Sequence, residues 1–320
     1  MSKALFILLS FLFFGVAFSE YITLDGSKLI SLSYSPNTDY DAREIVSQEN
    51  LSQEMLSYYS WFASYGYCRD ADIPLLCCTN YLDFFTGRWN IITKSSTTEY
   101  YNYNFVFWRS DEYKKYILAF PGTRNNIMEL LNEAANILLV EYDGVDNGIK
   151  VVNYFYKVAL EIRDLIFSYE NIQDIEAHPG YQFIFIGHSL GGSVAAIELY
   201  EAINKNFISQ DNNPALITFG MPRAGNEEWV IDFNIKIKNI IRIVRDGDMI
   251  PTVPYVPLFN PYRHLGGLIL LNKDMDSMNY CTKDIGEDYF DNECENSKSV
   301  DLKYHLHYFN PEIELGLRCS

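Results

Sequence analysis

The feature that most constrains the fold is a short apolar run that ends in a glycine-rich turn. Residues 183–186 are continuously apolar and lead directly into the segment Gly187-His188-Ser189-Leu190-Gly191-Gly192. An alanine- and valine-rich stretch follows, from about residue 192 to residue 202. A buried strand, a turn of small residues and a helix are the parts that hold a serine on a sharp turn with its hydroxyl accessible. We therefore predict a strand, a tight turn at Ser189 and a helix.

Further strand-like segments lie before and after this turn, and helical patterns lie between them. The strand-like segments are rich in β-branched and aromatic residues, and they span 103–108, 115–120, 182–186, 215–219 and 240–244. Apolar positions recur at helical spacing over 53–65 and over 151–166. Strands that alternate with helices predict a single-domain α/β fold with a mostly parallel central sheet and helices on both faces.

The N-terminus has the pattern of a secretory signal. A basic start at Lys3 precedes an apolar run over residues 4–18, and Ala17 and Ser19 are small residues at the positions that a signal peptidase reads. The run is too short for a comfortable membrane span. We expect a signal peptide at 1–19, an N-terminal extension at 20–52, one catalytic-type domain at 53–320, a secreted product and no transmembrane segment in the mature chain.

Charge and cysteine usage exclude several classes of partner. The formal net charge of −17 disfavours nucleic acid and anionic membranes, and it leaves neutral or zwitterionic substrates open. Six cysteines in a secreted chain are able to pair in an oxidising compartment. None of them has the spacing of a zinc site, so neither a metal ion nor another cofactor is expected.

A serine nucleophile needs a histidine base and an acid that orients the base. In α/β-hydrolases the order along the chain is serine, then acid, then histidine. His178 and His188 precede or adjoin the serine, and the histidines that follow it are His264, His305 and His307. The acids that follow the predicted strand at 240–244 are Asp246 and Asp248. Chain order alone leaves these choices open.

Several motifs together resemble the class 3 lipases, a family of secreted filamentous-fungal triacylglycerol lipases and related feruloyl esterases in the α/β-hydrolase superfamily. The motifs are FPGT at 120–123, GHSLGG at 187–192, GMPRAG at 220–225, VRDGDMIPTVP at 244–254, a Tyr-x-His-x-Gly segment within 261–266 and HLHYF at 305–309. They stand in the order of the family, and the resemblance covers residues 53–320.

The resemblance implies a role for each matching residue. Ser189 is the expected nucleophile, and His305, which opens the HLHYF segment, is the expected base. Asp248 is the expected acid, since it stands three residues before the first proline of the D-x-x-P-x-x-P segment. The expected oxyanion-hole donors are Thr123 and Leu190. By the same comparison Asp246 is a turn residue, and His264 and His307 are structural.

The segment after the FPGT motif has one apolar helical face. From periodicity alone a core-packing helix is an equally good interpretation. The resemblance instead implies a mobile lid over the active site, with substrate access controlled by Ile127, Met128, Leu130 and Leu131. The resemblance also implies two disulfides, Cys68 with Cys319 and Cys281 with Cys294, and it leaves the adjacent Cys77 and Cys78 unassigned.

Taken together, these features predict a secreted serine carboxylic ester hydrolase. The expected activity is that of a lipase that releases fatty acids from acylglycerols through an acyl-enzyme intermediate. We expect it to act as a monomer on a neutral lipid or another ester at a lipid–water interface. The alternatives are a phospholipase A1, a carboxyl- or feruloyl-type esterase and a non-catalytic lipid-binding homologue.

Overall fold

The computed structural model describes residues 51–67, 87–95, 103–123, 137–144, 148–256, 260–281 and 301–309, together with the backbone of two strands at 19–22 and 28–31. Within these residues the strands form one eight-stranded sheet and two small two-stranded sheets. The strands are β1 Ser19–Ile22, β2 Lys28–Ser31, β3 Asn90–Ser95, β4 Phe105–Ser110, β5 Lys115–Phe120, β6 Leu139–Glu141, β7 Lys150–Val152, β8 Gln182–His188, β9 Ala215–Phe219, β10 Asn239–Arg245, β11 Leu268–Leu271 and β12 Met278–Cys281.

The large sheet is parallel at its centre and antiparallel at its edges. Its strand order is β12-β11-β10-β9-β8-β5-β4-β3. The five neighbouring strands from β11 to β5 pair in parallel, whereas β12, β4 and β3 pair with their neighbours in antiparallel fashion. The prediction of an α/β fold with a mostly parallel sheet is therefore confirmed.

Helices cover both faces of this sheet. They are α1 Gln53–Tyr65, α2 Asn153–Ile166, α3 Tyr169–Ala177, α4 Leu190–Asn204, α5 Glu227–Lys236 and α6 Leu302–Leu306. Successive side chains of a strand point to opposite faces, and the two halves of the core follow this rule. Phe183 and Phe185 of β8 pack in the cluster that contains α2, α4 and α5, while Ile184 and Ile186 pack in the cluster that contains α1.

The central strands are buried along their whole length. All six residues of β5 and all seven of β8 are buried, as expected for parallel strands with helices on both sides. Both strands end at the same edge of the sheet because they run in the same direction. This edge therefore carries the turn at Ser189 and the loop after Phe120.

One boundary differs from the helical pattern in the sequence. Val151 and Val152 were expected to begin a helix, but they belong to β7, and α2 begins at Asn153. β7 pairs with β6, and the amide of Val152 donates to the carbonyl of Ala224. Two consecutive β-branched residues with such partners favour a strand over a helical turn.

The N-terminal region is described only in part. β1, which begins at Ser19, and β2, which lies in the expected extension at 20–52, pair in antiparallel fashion. Residues 1–18 lie outside the described residues, so the signal peptide remains a prediction. No helix in the described part of the chain is both long enough and apolar enough to cross a membrane.

Candidate active site

Ser189 stands at the apex of a sharp turn between β8 and α4. Its backbone has φ 58° and ψ −133°, a conformation that is costly for a residue with a side chain. The turn is held by the surrounding structure, since the amide of Ser189 donates to the carbonyl of Phe219 over 2.8 Å. Strain of this kind persists where the neighbouring structure over-determines the backbone. The predicted strand–turn–helix is therefore present.

Glycines make this turn possible because the backbone passes very close to itself. A Cβ at Gly187 would lie 2.2 Å from the carbonyl oxygen of Gly191. A Cβ at Gly191 would lie 2.2 Å from the carbonyl oxygen of Phe120. A larger residue at Gly187 would force the two sides of the turn apart, and one at Gly191 would push the turn away from the end of β5.

His305 bridges the serine and an acid. Its Nε2 lies 2.8 Å from Oγ of Ser189, and its Nδ1 lies 2.9 Å and 3.1 Å from Oδ2 and Oδ1 of Asp248. The three side chains come from the end of β8, the loop after β10 and α6, and they are at most 3% exposed. Among the candidates that chain order left open, the structure brings together Ser189, Asp248 and His305.

The carboxylate of Asp248 is held on both of its oxygens. Oδ1 accepts the amide of Ile250 at 2.8 Å, and Oδ2 accepts the hydroxyl of Tyr308 at 2.6 Å. Burial, followed by the charge of Asp248, raises the pKa of Tyr308 well above its usual value, so the phenol keeps its proton and donates. These donors orient the carboxylate toward Nδ1 of His305.

This arrangement is able to activate a hydroxyl nucleophile. A base within hydrogen-bonding distance of Oγ accepts its proton as a bond to a carbonyl carbon forms. An acid on the opposite ring nitrogen fixes the tautomer and stabilises the imidazolium that results. The geometry is thus that of a serine, a histidine and an aspartate arranged for acyl transfer.

The two expected oxyanion donors come from segments that meet at the serine. Leu190 is the first residue of α4, where backbone N–H groups point out of the helix. Thr123 follows Gly122, and a Cβ at Gly122 would lie 2.7 Å from Cβ of Ser189. The loop therefore lies against the nucleophile, and the role of these two residues as donors remains a prediction.

The other candidate histidines and acids have different partners. The amide of Asp246 donates to Leu271, and the carbonyl of His307 accepts from the guanidinium of Arg245 at 3.0 Å. His264 is buried, with Nε2 2.6 Å from the carbonyl oxygen of Pro251. His178 lies at the end of α3, with Nδ1 2.7 Å from the carbonyl oxygen of Asp174.

Two residues of the site were not identified from sequence. Tyr308 lies three positions after His305, and Gly220 follows β9 with φ +60°. A Cβ at Gly220 would lie 2.6 Å from Oδ2 of Asp248 and 2.8 Å from Nδ1 of His305. Both lie within motifs that were recognised, but nothing in the local pattern gives their contacts.

Several predicted residues cannot be compared with the structure. The lid residues Ile127, Met128, Leu130 and Leu131 lie outside the described residues, as do Cys68, Cys77, Cys78, Cys294 and Cys319. Cys281 at the end of β12 is disulfide-bonded, and its partner lies outside the described residues. The pairing of Cys281 with Cys294 therefore remains a prediction.

Comparison with known proteins agrees with this geometry. The family model described as lipase (class 3) matches residues 117–258, which include β5, β8, the serine turn and Asp248. Over these residues the chain is similar to the class 3 lipases. It is a triacylglycerol lipase-like hydrolase, and the fold and the arrangement at Ser189 are those expected of one.

Two fungal lipases illustrate the relationship. The lipase of Rhizopus niveus is 26% identical over 296 residues, which cover 88% of this chain and 69% of the relative. The lipase of Rhizomucor miehei is 26% identical over 281 residues, which cover 83% of this chain and 71% of the relative. Both alignments extend well beyond the segment that the family model matches.

Solved structures show the same likeness in three dimensions. The triacylglyceride lipase of Rhizomucor miehei superposes with a TM-score of 0.70 at 25% identity, covering 84% of this chain and 98% of that one. A triacylglycerol lipase whose catalytic centre is a serine-protease triad superposes with a TM-score of 0.69 at 26% identity, covering 84% and 98%. The similarity thus spans nearly the whole of both solved lipases.

Proposed function

We propose that this class 3 lipase homologue is a secreted lipase that releases fatty acids from acylglycerols through an acyl-enzyme at Ser189. One observation carries the proposal: a single buried imidazole lies 2.8 Å from a serine hydroxyl and 2.9 Å from a carboxylate. In this proposal His305 is the general base and Asp248 is the acid that orients it.

The reaction has two halves. Oγ of Ser189 attacks the ester carbonyl carbon while its proton moves to Nε2 of His305. His305 then gives that proton to the leaving alcohol as the C–O bond breaks, which leaves the acyl group on Ser189. Water attacks the acyl-enzyme, loses a proton to His305, and the fatty acid leaves as Oγ regains that proton.

The negative oxygen of each tetrahedral intermediate needs hydrogen-bond donors. The amides of Thr123 and Leu190 are the proposed donors, since both belong to segments that meet at Ser189. The N-terminus of α4 adds a favourable dipole at the same point. Removal of a donor of this kind typically costs about 100- to 1000-fold in kcat.

Exposed apolar side chains on segments next in sequence to site residues support a lipid substrate. Leu302 precedes His305 by one helical turn and is 41% exposed, and Tyr255, seven residues after Asp248, is 58% exposed. Leu138, at the end of the expected lid segment, is also 58% exposed. Large apolar side chains on segments that carry a catalytic site favour contact with an apolar surface.

The net charge of the chain limits the kinds of lipid surface that the protein is able to approach. A formal net charge of −17 opposes approach to an anionic bilayer and leaves neutral lipid droplets and zwitterionic headgroups accessible. An acylglycerol emulsion carries no charge of its own. The charge therefore favours neutral or zwitterionic lipids over anionic ones as the substrate.

The purified protein is compared on emulsified triacylglycerol, phosphatidylcholine vesicles and a soluble short-chain ester. The proposal expects the highest rate on triacylglycerol. A preference for phosphatidylcholine, with release of the fatty acid from the first glycerol position, would instead indicate a phospholipase A1. A strong preference for the soluble ester would indicate a carboxyl- or feruloyl-type esterase, and no turnover of any ester would indicate a lipid-binding homologue.

A matched pair of variants tests the contribution of the apolar surface. Tyr255 and Ile235 are both 58% exposed, but Ile235 lies on α5. We expect Tyr255→Ser to lower the rate on emulsified triacylglycerol while the rate on the soluble ester is retained. Ile235→Ser should change neither rate. If the two variants lowered the rate on emulsified triacylglycerol equally, the proposal that Tyr255 contacts the lipid would be contradicted.

Secretion is part of the proposal and has its own test. The N-terminal pattern predicts removal of residues 1–19 during export. Mass spectrometry of the protein recovered from the medium of an expressing eukaryotic cell should find Glu20 as the first residue. Retention of the full chain inside the cell would contradict it.

A further inference from the structure

Two buried polar side chains beside the triad have no part in the mechanism above. Tyr67, just after α1, is 8% exposed, and His188, at the end of β8, is 1% exposed. The hydroxyl of Tyr67 lies 2.6 Å from Nδ1 of His188. The ring of His188 lies 4.7 Å from that of His305, with an angle of 31° between the planes.

The loop side indicates the direction of the hydrogen bonds. The amide of Gly122 donates to the hydroxyl oxygen of Tyr67 over 2.7 Å. An amide can only donate, so the oxygen of Tyr67 accepts here and its single hydrogen remains for another partner. Nδ1 of His188, at 2.6 Å, is placed to accept that hydrogen.

The same direction follows from the histidine side. Nε2 of His188 lies 2.9 Å from the carbonyl oxygen of His305, and a carbonyl can only accept. Nε2 therefore carries the hydrogen, and in a neutral ring Nδ1 is left as an acceptor for Tyr67. Burial, followed by the charge of His305, lowers the pKa of His188, which keeps its ring neutral.

We propose that Tyr67 and His188 are positioning residues that join the loop of residues 121–123, which carries the proposed oxyanion donor, to the catalytic histidine. One series of hydrogen bonds makes this connection, from Gly122 through Tyr67 and His188 to the backbone of His305. The inference rests on the proposed function of Ser189 and His305. Both side chains are buried and act through Gly122 and His305.

This series of hydrogen bonds affects two distances that matter for the reaction: the distance of the loop from Ser189 and the distance of the His305 ring from Ser189. At one end it holds the loop that carries Thr123, and this loop has no free space, since a Cβ at Gly122 would lie 2.5 Å from the hydroxyl of Tyr67. At the other end it holds the backbone of the residue whose Nε2 meets Ser189. The proposed donor Thr123 and the base His305 are thus held by the same series of hydrogen bonds. Misplacement of a reacting group by about 1 Å costs as much as 100-fold in rate.

The neutrality of His188 serves the same step. When His305 takes the proton from Ser189 its ring becomes positive, and the ring of His188 lies 4.7 Å from it. A second positive ring at this distance would oppose the transfer. A neutral His188 that donates to the carbonyl of His305 fixes the base without that repulsion.

The test uses the protein as recovered from the medium and five variants of it. Tyr67→Phe removes the middle hydroxyl of this series of hydrogen bonds, and His188→Phe removes both ring contacts but keeps an aromatic ring. His188→Gln keeps an amide that is able to accept at one atom and donate at the other. The double variant Tyr67→Phe/His188→Phe tests whether the two act as a unit.

Tyr58→Phe is the matched control for loss of a buried tyrosine hydroxyl. Tyr58 lies on α1, and its hydroxyl accepts from Nε1 of Trp89 at 2.8 Å, on elements that do not carry the triad. We expect it to lower the Tm by about 2 °C and to leave kcat unchanged. It thus separates a loss of stability from a loss of positioning.

The readouts are kcat and KM on a soluble ester, the Tm, and the Kd of an alkyl boronic acid, which forms a tetrahedral adduct with a serine. We expect Tyr67→Phe and His188→Phe each to lower kcat by about 10- to 100-fold with KM within about twofold. The Kd of the boronic acid should rise by a similar factor. His188→Gln should recover part of kcat, and the double variant should be no worse than the more severe single one.

Wild-type kcat and boronic acid Kd in Tyr67→Phe and His188→Phe would overturn the inference, as would losses in kcat that simply multiply in the double variant. A fall in Tm without a change in kcat would do the same, because it would mark a structural role only. Failure of the proposed function gives a different result, since the wild-type protein would then neither turn over the ester nor bind the boronic acid.

Discussion

The hydroxyl of Tyr308 donates a 2.6 Å hydrogen bond to Oδ2 of Asp248, so the residue three positions after the histidine of the triad also holds its acid. One short segment thus controls both the base and the group that orients it. His305 reaches Asp248 from α6, and Tyr308 reaches it from the turn that follows α6.

Tyr308→Phe should lower kcat while the aromatic packing against Phe219 is retained. Loss of a hydrogen bond to a charged group corresponds to about 1.4 kcal/mol, or about tenfold in rate. Tyr116→Phe is the control, because the hydroxyl of Tyr116 donates to Oδ2 of Asp174 at 2.8 Å in a comparable pair away from the site. Steady-state kinetics that give both variants the same kcat would contradict the role of Tyr308.

Gly220→Ala should abolish most of the activity. The new methyl group would lie 2.6 Å from Oδ2 of Asp248 and 2.8 Å from Nδ1 of His305, and it would force the two apart. We expect kcat to fall by about 100-fold or more.

Gly180→Ala provides the control for backbone strain in that experiment. Gly180 has φ +79°, close to the +60° of Gly220, and a Cβ there would meet nothing within 4 Å. It should cost about 1 kcal/mol of stability and no activity. If both alanine variants kept full activity, the crowding between Gly220 and the acid–base pair would be disproved.

Glu198→Met should stabilise the protein at neutral pH. Glu198 lies on α4 with no exposure, and neither carboxyl oxygen has a hydrogen-bond partner among the described residues. Burial, followed by the charge of Glu201, raises the pKa of Glu198, whereas the unfolded chain loses that proton above about pH 4.3. The wild-type free energy of unfolding therefore falls as pH rises above that value.

A methionine of similar shape removes this pH-dependent cost. We expect a gain of about 1 kcal/mol or more at pH 7, measured by urea unfolding. The same substitution at the exposed Glu112 should change stability by less than about 0.5 kcal/mol. A Glu198→Met protein that is less stable than wild type at pH 7 would show that the carboxyl group has a stabilising partner.

Acidification should destabilise the fold through His264. Burial, followed by the charges of Arg242 and Arg223, lowers the pKa of His264, while the unfolded chain binds a proton below about pH 6.5. The unfolded state then holds more protons than the folded one. The free energy of unfolding therefore falls by up to about 1.4 kcal/mol per pH unit below pH 6.5.

His264→Gln should make this slope shallower between pH 6 and pH 5. The glutamine keeps a donor for the carbonyl of Pro251, and at pH 8, where His264 is neutral in both states, the two proteins differ only in packing. Chemical denaturation over the pH range measures the difference. Parallel slopes for the two proteins would show that His264 is not the group that takes up the proton.

Local signals and long-range contacts differ in how far the sequence predicts them. The turn at Ser189 and five of the strands follow from patterns within a few residues, and the structure confirms the fold. These strands are β4, β5, β8, β9 and β10. The contacts of Gly220 and Tyr308 depend on β9, the loop after β10 and α6 meeting in space, which no local pattern contains. The pairing of His305 with Asp248 was predictable only through the resemblance to the class 3 lipases.

The start of α2 was also wrongly predicted because of contacts with residues that are distant in sequence. Val151 and Val152 continue a helical pattern of apolar residues, but they pair with β6 and contact the segment around Gly225. A partner distant in sequence thus overrides a weak local preference. Short edge strands of this kind are poorly marked because only two or three residues carry the signal.

The most direct test of the central claim is the turnover of Ser189→Ala on emulsified triacylglycerol, with the Tm and circular dichroism measured on the same preparation. Ser189 is 3% exposed and its hydroxyl lies 2.8 Å from Nε2 of His305, so its loss removes the nucleophile. We expect turnover to fall by about 10⁵-fold or more with a native spectrum and a Tm at least that of wild type. Retention of most of the wild-type rate by this folded variant would contradict the account.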